Sequence, residues 1–273
     1  MNKNFDTYRP AIEAAIEASE AIMKIYAGSF EASHKEDGSP VTIADLQSSD
    51  IIERHLKETN IPIIGEELEE SEYSERCQWT KVWCVDPLDG TKEFLKKNGE
   101  FVINIALIDK CKPIFGLIAS PIRREIIIGG KGLGAYQFSY EDAFNMENWE
   151  KIEKLSSMNS PVYIISSRSH YSGNFLNLAK KIEEEFGEIQ PLKMGSALKF
   201  FELVNNRADV YPRLAPTMEW DIAAGQAIYE AVGGEIVNVE TGKPLVYNKE
   251  DLTNPYFVAS KKTMKLKMDF YHS

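Results

Sequence analysis

One stretch constrains the fold of this chain more than any other: Trp83-Cys84-Val85-Asp86-Pro87-Leu88-Asp89-Gly90-Thr91, an apolar run that ends in two acids three residues apart. Residues 81–85 have the pattern of a buried strand, which delivers Asp86 to its C-terminal end. Pro87 holds Asp86 extended and bars a helix at that point. Gly90 gives the backbone the freedom to make a tight bend that carries Asp89. Two carboxylates on opposite arms of a rigid bend can face one centre, with the Leu88 carbonyl as a third oxygen. Magnesium favours such hard oxygen donors. Thr91 opens what reads as a short helix over residues 92–98, stopped by Gly99. The N–H groups of Gly90, Thr91 and Lys92 would then form an anion seat beside the acids. An ordinary turn is the competing reading, since Asp, Pro and Gly favour turns by themselves.

Other acids follow the same plan. Glu66 and Glu67 come directly after the apolar run 61–64, and Asp221 opens a helix that contains Ala223-Ala224-Gly225. Asp221 alone would read as a helix cap. Two like charges about 4 Å apart repel by roughly 4 kcal/mol at an effective dielectric near 20, so acids gathered in one place call for a divalent cation between them. Asp45, in Thr42-Ile43-Ala44-Asp45, fits a helix-capping pattern; the alternative is that it faces the site. The remaining glutamates of residues 66–75 read as a solvated loop face. The glycine-rich run 129–134 lacks the Gly-Lys-Ser/Thr ending of a phosphate loop and reads as a hairpin turn.

Helical spacing over residues 8–26 and 43–57, strand-like runs at 101–108, 113–120 and 125–129, and alternating strands and helices after residue 160 predict an α+β chain of helices layered on sheets. Residues 139–160 are polar and without clear period, which suggests two units, 1–155 carrying most acids and 156–273 carrying Asp221. A net charge of −11 argues against a polymer of nucleic acid as partner. No run approaches the roughly 20 apolar residues needed to span a bilayer, and the N-terminus has no signal-peptide pattern. Three cysteines without metal-ligand spacing read as free buried thiols in a reducing cytoplasm, with peripheral attachment at the inner membrane surface as the alternative.

Ile64-Gly65-Glu66-Glu67, residues 83–91 and Trp220-Asp221-Ile222-Ala223-Ala224-Gly225 together resemble the inositol monophosphatase superfamily of lithium-sensitive, magnesium-dependent phosphatases. Residues 39–45, 86–106, 167–170, 195–200 and 208–213 resemble its bacterial 3′(2′),5′-bisphosphate nucleotidase branch, so the likeness covers nearly the whole chain. The resemblance implies an αβαβα sandwich of the inositol monophosphatase/fructose-bisphosphatase type. It also implies hydrolysis of the 3′-phosphate of adenosine 3′,5′-bisphosphate to AMP, with 3′-phosphoadenylyl sulfate as a further substrate. By motif, Glu66, Asp86 and the Leu88 carbonyl would bind one magnesium, and Asp86, Asp89 and Asp221 a second. A third would follow if Asp45 faces the site. Gly90 and Thr91 would hold phosphate oxygens, with Glu66, Leu88, Asp89 and Asp221 around the same group. His170, Ser196, Lys199 and Arg213 would contact the nucleotide, although a solvent-facing loop histidine and a surface lysine are competing readings. With no nucleophile–base pair in evidence, a metal-activated water oriented by Glu66, Thr91 and Asp45 is the expected nucleophile. An inositol or sugar phosphatase, or a non-catalytic metal- or nucleotide-binding protein, would use many of the same residues. The expected state is a monomer or homodimer.

Overall fold

Helical spacing puts Ala11, Ile12, Ala14, Ala15, Ala18 and Ile22 on one buried side of α1 (Arg9–Ala27). This helix begins a computed structural model that describes residues 5–28, 32–34, 40–166 and 173–266. A two-stranded ribbon, β1 (Ala32–His34) and β2 (Pro40–Thr42), leads into α2 (Ile43–Lys57). Next come β3 (Ile63–Gly65), a single helical turn α3 (Tyr73–Arg76), β4 (Lys81–Asp89) and the short α4 (Thr91–Leu95). An antiparallel meander follows as β5 (Val102–Asp109), β6 (Lys112–Ser120), β7 (Glu125–Gly130), β8 (Gly134–Ser139) and β9 (Glu150–Ile152). Strands β3 to β9 lie side by side in sequence order in one seven-stranded sheet, with β3 parallel to β4.

The rest of the chain runs β10 (Val162–Ser166), α5 (Asn174–Phe186), β11 (Ile189–Lys193), α6 (Leu198–Val204), β12 (Val210–Arg213), α7 (Glu219–Ala231), β13 (Gly234–Asn238) and β14 (Phe257–Lys261). Its strands form a five-stranded sheet in the order β11-β10-β12-β14-β13.

Three apolar clusters define the layers. Residues of α1 and α2 pack with Trp83, Val85, Ile103, Ile105 and Phe115 on one face of the larger sheet. The opposite face, through Val82, Cys84, Ala106 and Ile118, meets Phe200 of α6 and Ile222, Ala224 and Ile228 of α7, which also touch Tyr211, Ile236 and Phe257 of the smaller sheet. The outer side of that sheet is covered by Phe175, Leu178 and Ile182 of α5. The order is thus αβαβα, as the resemblance implied. Because helices cover both faces of the larger sheet, its central strands are apolar on both sides rather than alternating. Helix α7 sits flush in the middle layer. A Cβ at Gly116 of β6 would come 2.1 Å from the Ala224 carbonyl oxygen, and one at Gly225 would come 2.1 Å from the Phe200 ring.

Several local expectations need correcting. The stretch 139–160 is not wholly irregular, since β9 extends the larger sheet to Ile152. Strand β11, half-exposed and containing Pro191, carries no apolar alternation and was not foreseen. Helix α4 ends at Leu95, short of residue 98, and Gly99 lies beyond it at φ +78°. Of the thiols only Cys84 is buried; Cys77 and Cys111 are exposed.

The most consequential difference concerns the bend after Asp86. Strand β4 does not stop there; it continues through Pro87 with a bulge. Trp83 and Val85 face the α1–α2 layer while Val82 and Cys84 face the α6–α7 layer, so alternation turns Asp86 toward α7. Asp89, an odd number of residues on, would face the other way. Instead Asp86 pairs with Asn104 and Asp89, not Leu88, pairs with Val102, whose side chain belongs to the α6–α7 layer. The one extra residue reverses the parity of the strand. Leu88 goes into the α1–α2 core and both acids face α7.

Candidate active site

Asp221 reaches the same place from the other side of the middle layer. It sits in the first turn of α7, where its Oδ2 accepts the Met218 N–H at 2.9 Å. Asp221 is thus not the N-cap residue, which is Met218, but the third residue of the helix reaching back to cap it, and the acids converge: carboxylate oxygens of Asp86, Asp89 and Asp221 lie within 4.8 Å of one another. Glu66 follows β3, with its N–H donating to the Val85 carbonyl at 3.2 Å. Its charge acts on all three aspartates, although it lies outside the group that is mutually closest. Glu67 is half-buried beside it, and Glu69, Glu70, Glu72 and Glu75 are exposed, as a solvated loop face should be.

The three aspartates titrate abnormally because of where they sit. Burial pushes Asp86 well above the usual carboxylate range, and repulsion from Glu66, Asp89 and Asp221 adds to it. Burial also raises Asp89, to about 6, against the pull of the Lys199 ammonium and the Ala197 N–H. Asp221 rises to about 7, from burial first and the Asp89 charge second. Buried acids that repel one another are poorly matched to water or to protons alone and well matched to a multivalent cation. The donors are oxygen only and multiply anionic, which is the chemistry magnesium selects. The residues present fit that ion.

Asp45 resolves its two readings by using one oxygen for each. Oδ2 accepts the Thr42 N–H at 2.8 Å and the Thr42 hydroxyl at 2.6 Å, closing a capping box on α2. Oδ1 accepts the Thr91 hydroxyl at 2.9 Å. The bulge is fastened on both sides: Ser48 donates to the Pro87 carbonyl at 2.7 Å, and the Leu88 N–H donates to Asp86 Oδ1 at 3.0 Å. The Leu88 carbonyl lies 3.3 Å from the Thr91 hydroxyl. Gly90 is left-handed at φ +101°, and a Cβ there would come 2.8 Å from the Glu100 carbonyl oxygen, so only glycine serves.

Beside the acids, an open cleft of about 200 Å³ is lined by Asp89, Gly90 and Asp221 together with Ser196, Lys199, Tyr211 and Arg213. Lys199 is buried, not a surface lysine. Its ammonium donates to the Ser196 carbonyl at 2.7 Å and lies 5.3 Å from the centre of the Tyr211 ring. Burial lowers its pKa to about 8, with Asp89 opposing and Arg213 assisting that shift. Arg213 donates to the Pro216 carbonyl at 2.9 Å. His170 lies outside the described residues.

Sequence reasoning passed over the residues that brace these groups. Asn104 donates to Asp89 Oδ2 at 3.4 Å, and Ala197 donates its N–H to the same oxygen at 2.5 Å. Arg76, fully buried, donates to the Ser71 and Lys249 carbonyls and to Asn248 Oδ1, which ties the loop after Glu66 to the chain beyond α7. Glu219, also fully buried, accepts the Asn248 and Lys249 N–H groups and the Lys249 ammonium two residues before Asp221. A lone arginine within an acidic run was the one available signal for Arg76. Glu219 had only its place beside Trp220.

Comparison with known proteins places this geometry. The family model described as the inositol monophosphatase family matches residues 4–268. The 3′(2′),5′-bisphosphate nucleotidase CysQ of Shigella flexneri is 36% identical over 91% of this chain and 97% of its own. The protein of that name from Buchnera aphidicola is 39% identical over 86% and 85%. The crystal structure of CysQ from Bacteroides thetaiotaomicron superposes with a TM-score of 0.81 at 38% identity, covering 93% of this chain and 96% of that one. An aspartate-lined cleft, the αβαβα order and a match along nearly the full length lead to one conclusion: the chain belongs to the inositol monophosphatase family.

Proposed function

We propose that the chain is a magnesium-dependent phosphatase that removes the 3′-phosphate of adenosine 3′,5′-bisphosphate, giving AMP and phosphate, and that it also accepts 3′-phosphoadenylyl sulfate. The observation that carries this reading is the pairing of unlike walls in one cleft. Asp89 and Asp221, backed by the buried Asp86, form one wall and Lys199 with Arg213 the other. A phosphoryl group seated on cations among the aspartates needs no further positive charge. Two cationic side chains across the cleft suit a second anionic group on the same substrate. The nucleotidases named above support the choice of substrate.

In this reading Glu66, Asp86 and the Leu88 carbonyl would hold one magnesium and Asp86, Asp89 and Asp221 would hold another. The ions supply Lewis acidity at the phosphoryl oxygens and make water more acidic. The chain does the rest. Thr91, with its proton directed at Asp45 Oδ1, keeps a lone pair free to accept from the attacking water. Glu66 accepts the water's other hydrogen and sets its line of attack. The proton the water gives up passes along Thr91 to Asp45 as the bond from phosphorus to the 3′-oxygen breaks, and the departing oxygen takes a proton from solvent water to leave as the 3′-hydroxyl. The N–H groups of Gly90 and Thr91 face the phosphoryl oxygens. Ser196, Lys199 and Arg213, with His170, hold the nucleotide. The chain works in the cytoplasm as a monomer or homodimer, with its two units divided near residue 155. Among the described residues no helix is long and apolar enough to cross a membrane.

A phosphate-release assay on purified protein tests the reading. Turnover of adenosine 3′,5′-bisphosphate should require magnesium, exceed turnover of inositol 1-phosphate, and be inhibited by millimolar lithium. Preference for the inositol ester would overturn the substrate assignment, and release without magnesium would overturn the chemistry.

A further inference from the structure

The two walls of the cleft are joined at one point by a pair of carboxylates. The turn of residues 195–197, which leads from β11 into α6, donates the Gly195 N–H to Glu100 Oε2 at 2.8 Å and the Ala197 N–H to Asp89 Oδ2 at 2.5 Å. Ser196, between them, is held left-handed at φ +46°, a conformation unfavourable for a non-glycine residue unless its neighbours fix it. Its carbonyl accepts the Lys199 ammonium. The approach is tight: a Cβ on Gly195 would meet the Glu93 side chain at 2.8 Å and Glu100 Oε2 at 3.0 Å. A Cβ on Gly90 would meet the Ser196 Cβ at 3.2 Å.

We propose that Glu100 is a positioning residue for substrate affinity: with Asp89 it clasps the turn 195–197 and thereby sets where the Lys199 ammonium stands in the cleft. Asp89 has a second task among the acids, whereas Glu100 serves the clasp without belonging to the group of three aspartates. Each arm is a carboxylate accepting a backbone N–H, a charge-assisted bond that holds direction as well as distance. Without Glu100, the turn keeps one fastening, Ser196 can relax from its left-handed conformation, and the carbonyl that anchors Lys199 moves with it. The inference rests on the proposed function for the identity of the substrate and for the contact of Lys199 with it.

The test uses the magnesium-loaded full chain with Glu100→Ala and Glu100→Gln. Steady-state constants are measured on adenosine 3′,5′-bisphosphate and on p-nitrophenyl phosphate, which has no second anionic group. Glu100→Ala should raise KM for the bisphosphate about tenfold, the scale of one charge-assisted hydrogen bond. Its kcat and its turnover of p-nitrophenyl phosphate should be unchanged, with a melting temperature lower by about 2–4 °C, the scale of one lost hydrogen bond. Glu100→Gln keeps an amide oxygen able to accept the Gly195 N–H and should recover most of the lost affinity. Equal losses on both substrates, an unaltered KM, or no recovery by glutamine would overturn the clasp. A wild type that turns over inositol 1-phosphate in place of the nucleotide rejects the proposed function alone. The clasp is then judged on the Gly195 amide itself, whose hydrogen exchange must quicken in Glu100→Ala and slow again in Glu100→Gln.

Discussion

On the acidic wall of the cleft, Asp86, Asp89 and Thr91 come from six consecutive positions of one bulged strand and the helix that follows it. On the opposite wall, Ser196, Lys199 and Arg213 come from a turn, a helix and a strand end; the turn is placed by residues far away in the chain, and Lys199 and Arg213 each lean on a carbonyl three residues off. Apart from Asp221, which α7 brings in, the first wall is a single piece: the bulge, Ser48 and the Asp45–Thr91 bond fix each of these groups relative to the next. The second is assembled, and its order depends on what it leans against. Chemistry that tolerates little misplacement belongs on the first, whereas affinity for one substrate over another can be adjusted on the second.

The largest effect should come from breaking the single piece. Asp89→Asn removes one negative donor from the acid group, and kcat should fall by about 10²–10³-fold, the scale of losing one electrostatic stabiliser. Phosphate release at saturating magnesium checks this, and a loss confined to KM would move Asp89 to the binding wall. Asp45→Asn should lower kcat by on the order of 10²-fold through its Thr91 bond. The capping oxygen on the other side should cost only about 2–4 °C in melting temperature. Unaltered turnover with the same thermal shift would leave Asp45 a cap and nothing more.

Lys199→Met sharpens the contrast from the other wall. It should raise KM for the bisphosphate about tenfold while sparing inositol 1-phosphate, since only the former carries a second anionic group. Equal losses on the two esters would abolish the distinction between walls.

The smallest effect concerns pH. Asp89 and Asp221 are raised to about 6 and about 7 in the folded metal-free chain, above their unfolded values. The folded state then binds more protons than the unfolded one, so stability is fully present below the unfolded carboxylate pKa and is lost as pH rises through about 6 to 7. Magnesium replaces those protons. Its addition should therefore raise the melting temperature by a few degrees more at about pH 8 than at about pH 5. Calorimetry that finds equal gains would remove the cation as partner of these acids.

The same contrast explains what could be read without coordinates. Glu66, Asp86, Asp89 and Asp221 stand out because each follows an apolar run or opens a helix within a few residues, which is local information. The helices at 9–27 and 43–57 and the meander were legible for the same reason, periodicity within one element. The bulge was not. Asp-Pro-Leu-Asp-Gly-Thr is compatible with a tight turn, and only pairing with Asn104 and Val102 reveals a strand that continues with reversed parity. Asn104 and Glu100 are a polar residue in an apolar strand and an acid in a loop, and neither pattern implies a partner 15 or 95 residues distant. Lys199 sits among Leu198, Phe200 and Phe201, neighbours that describe a core helix and are silent on where its ammonium ends.

Helix α7 holds Asp221 at its tip while its shaft lies flush against β6 at Gly116 and against Phe200 at Gly225, with no slack on either side. A slide of one sheet over the other cannot be absorbed there; it arrives at the aspartates as a change in reach. Metal occupancy is thus a strain gauge for the sandwich interior. In a sample brought slowly toward denaturation by heat or pressure, the cation should depart before the layers part.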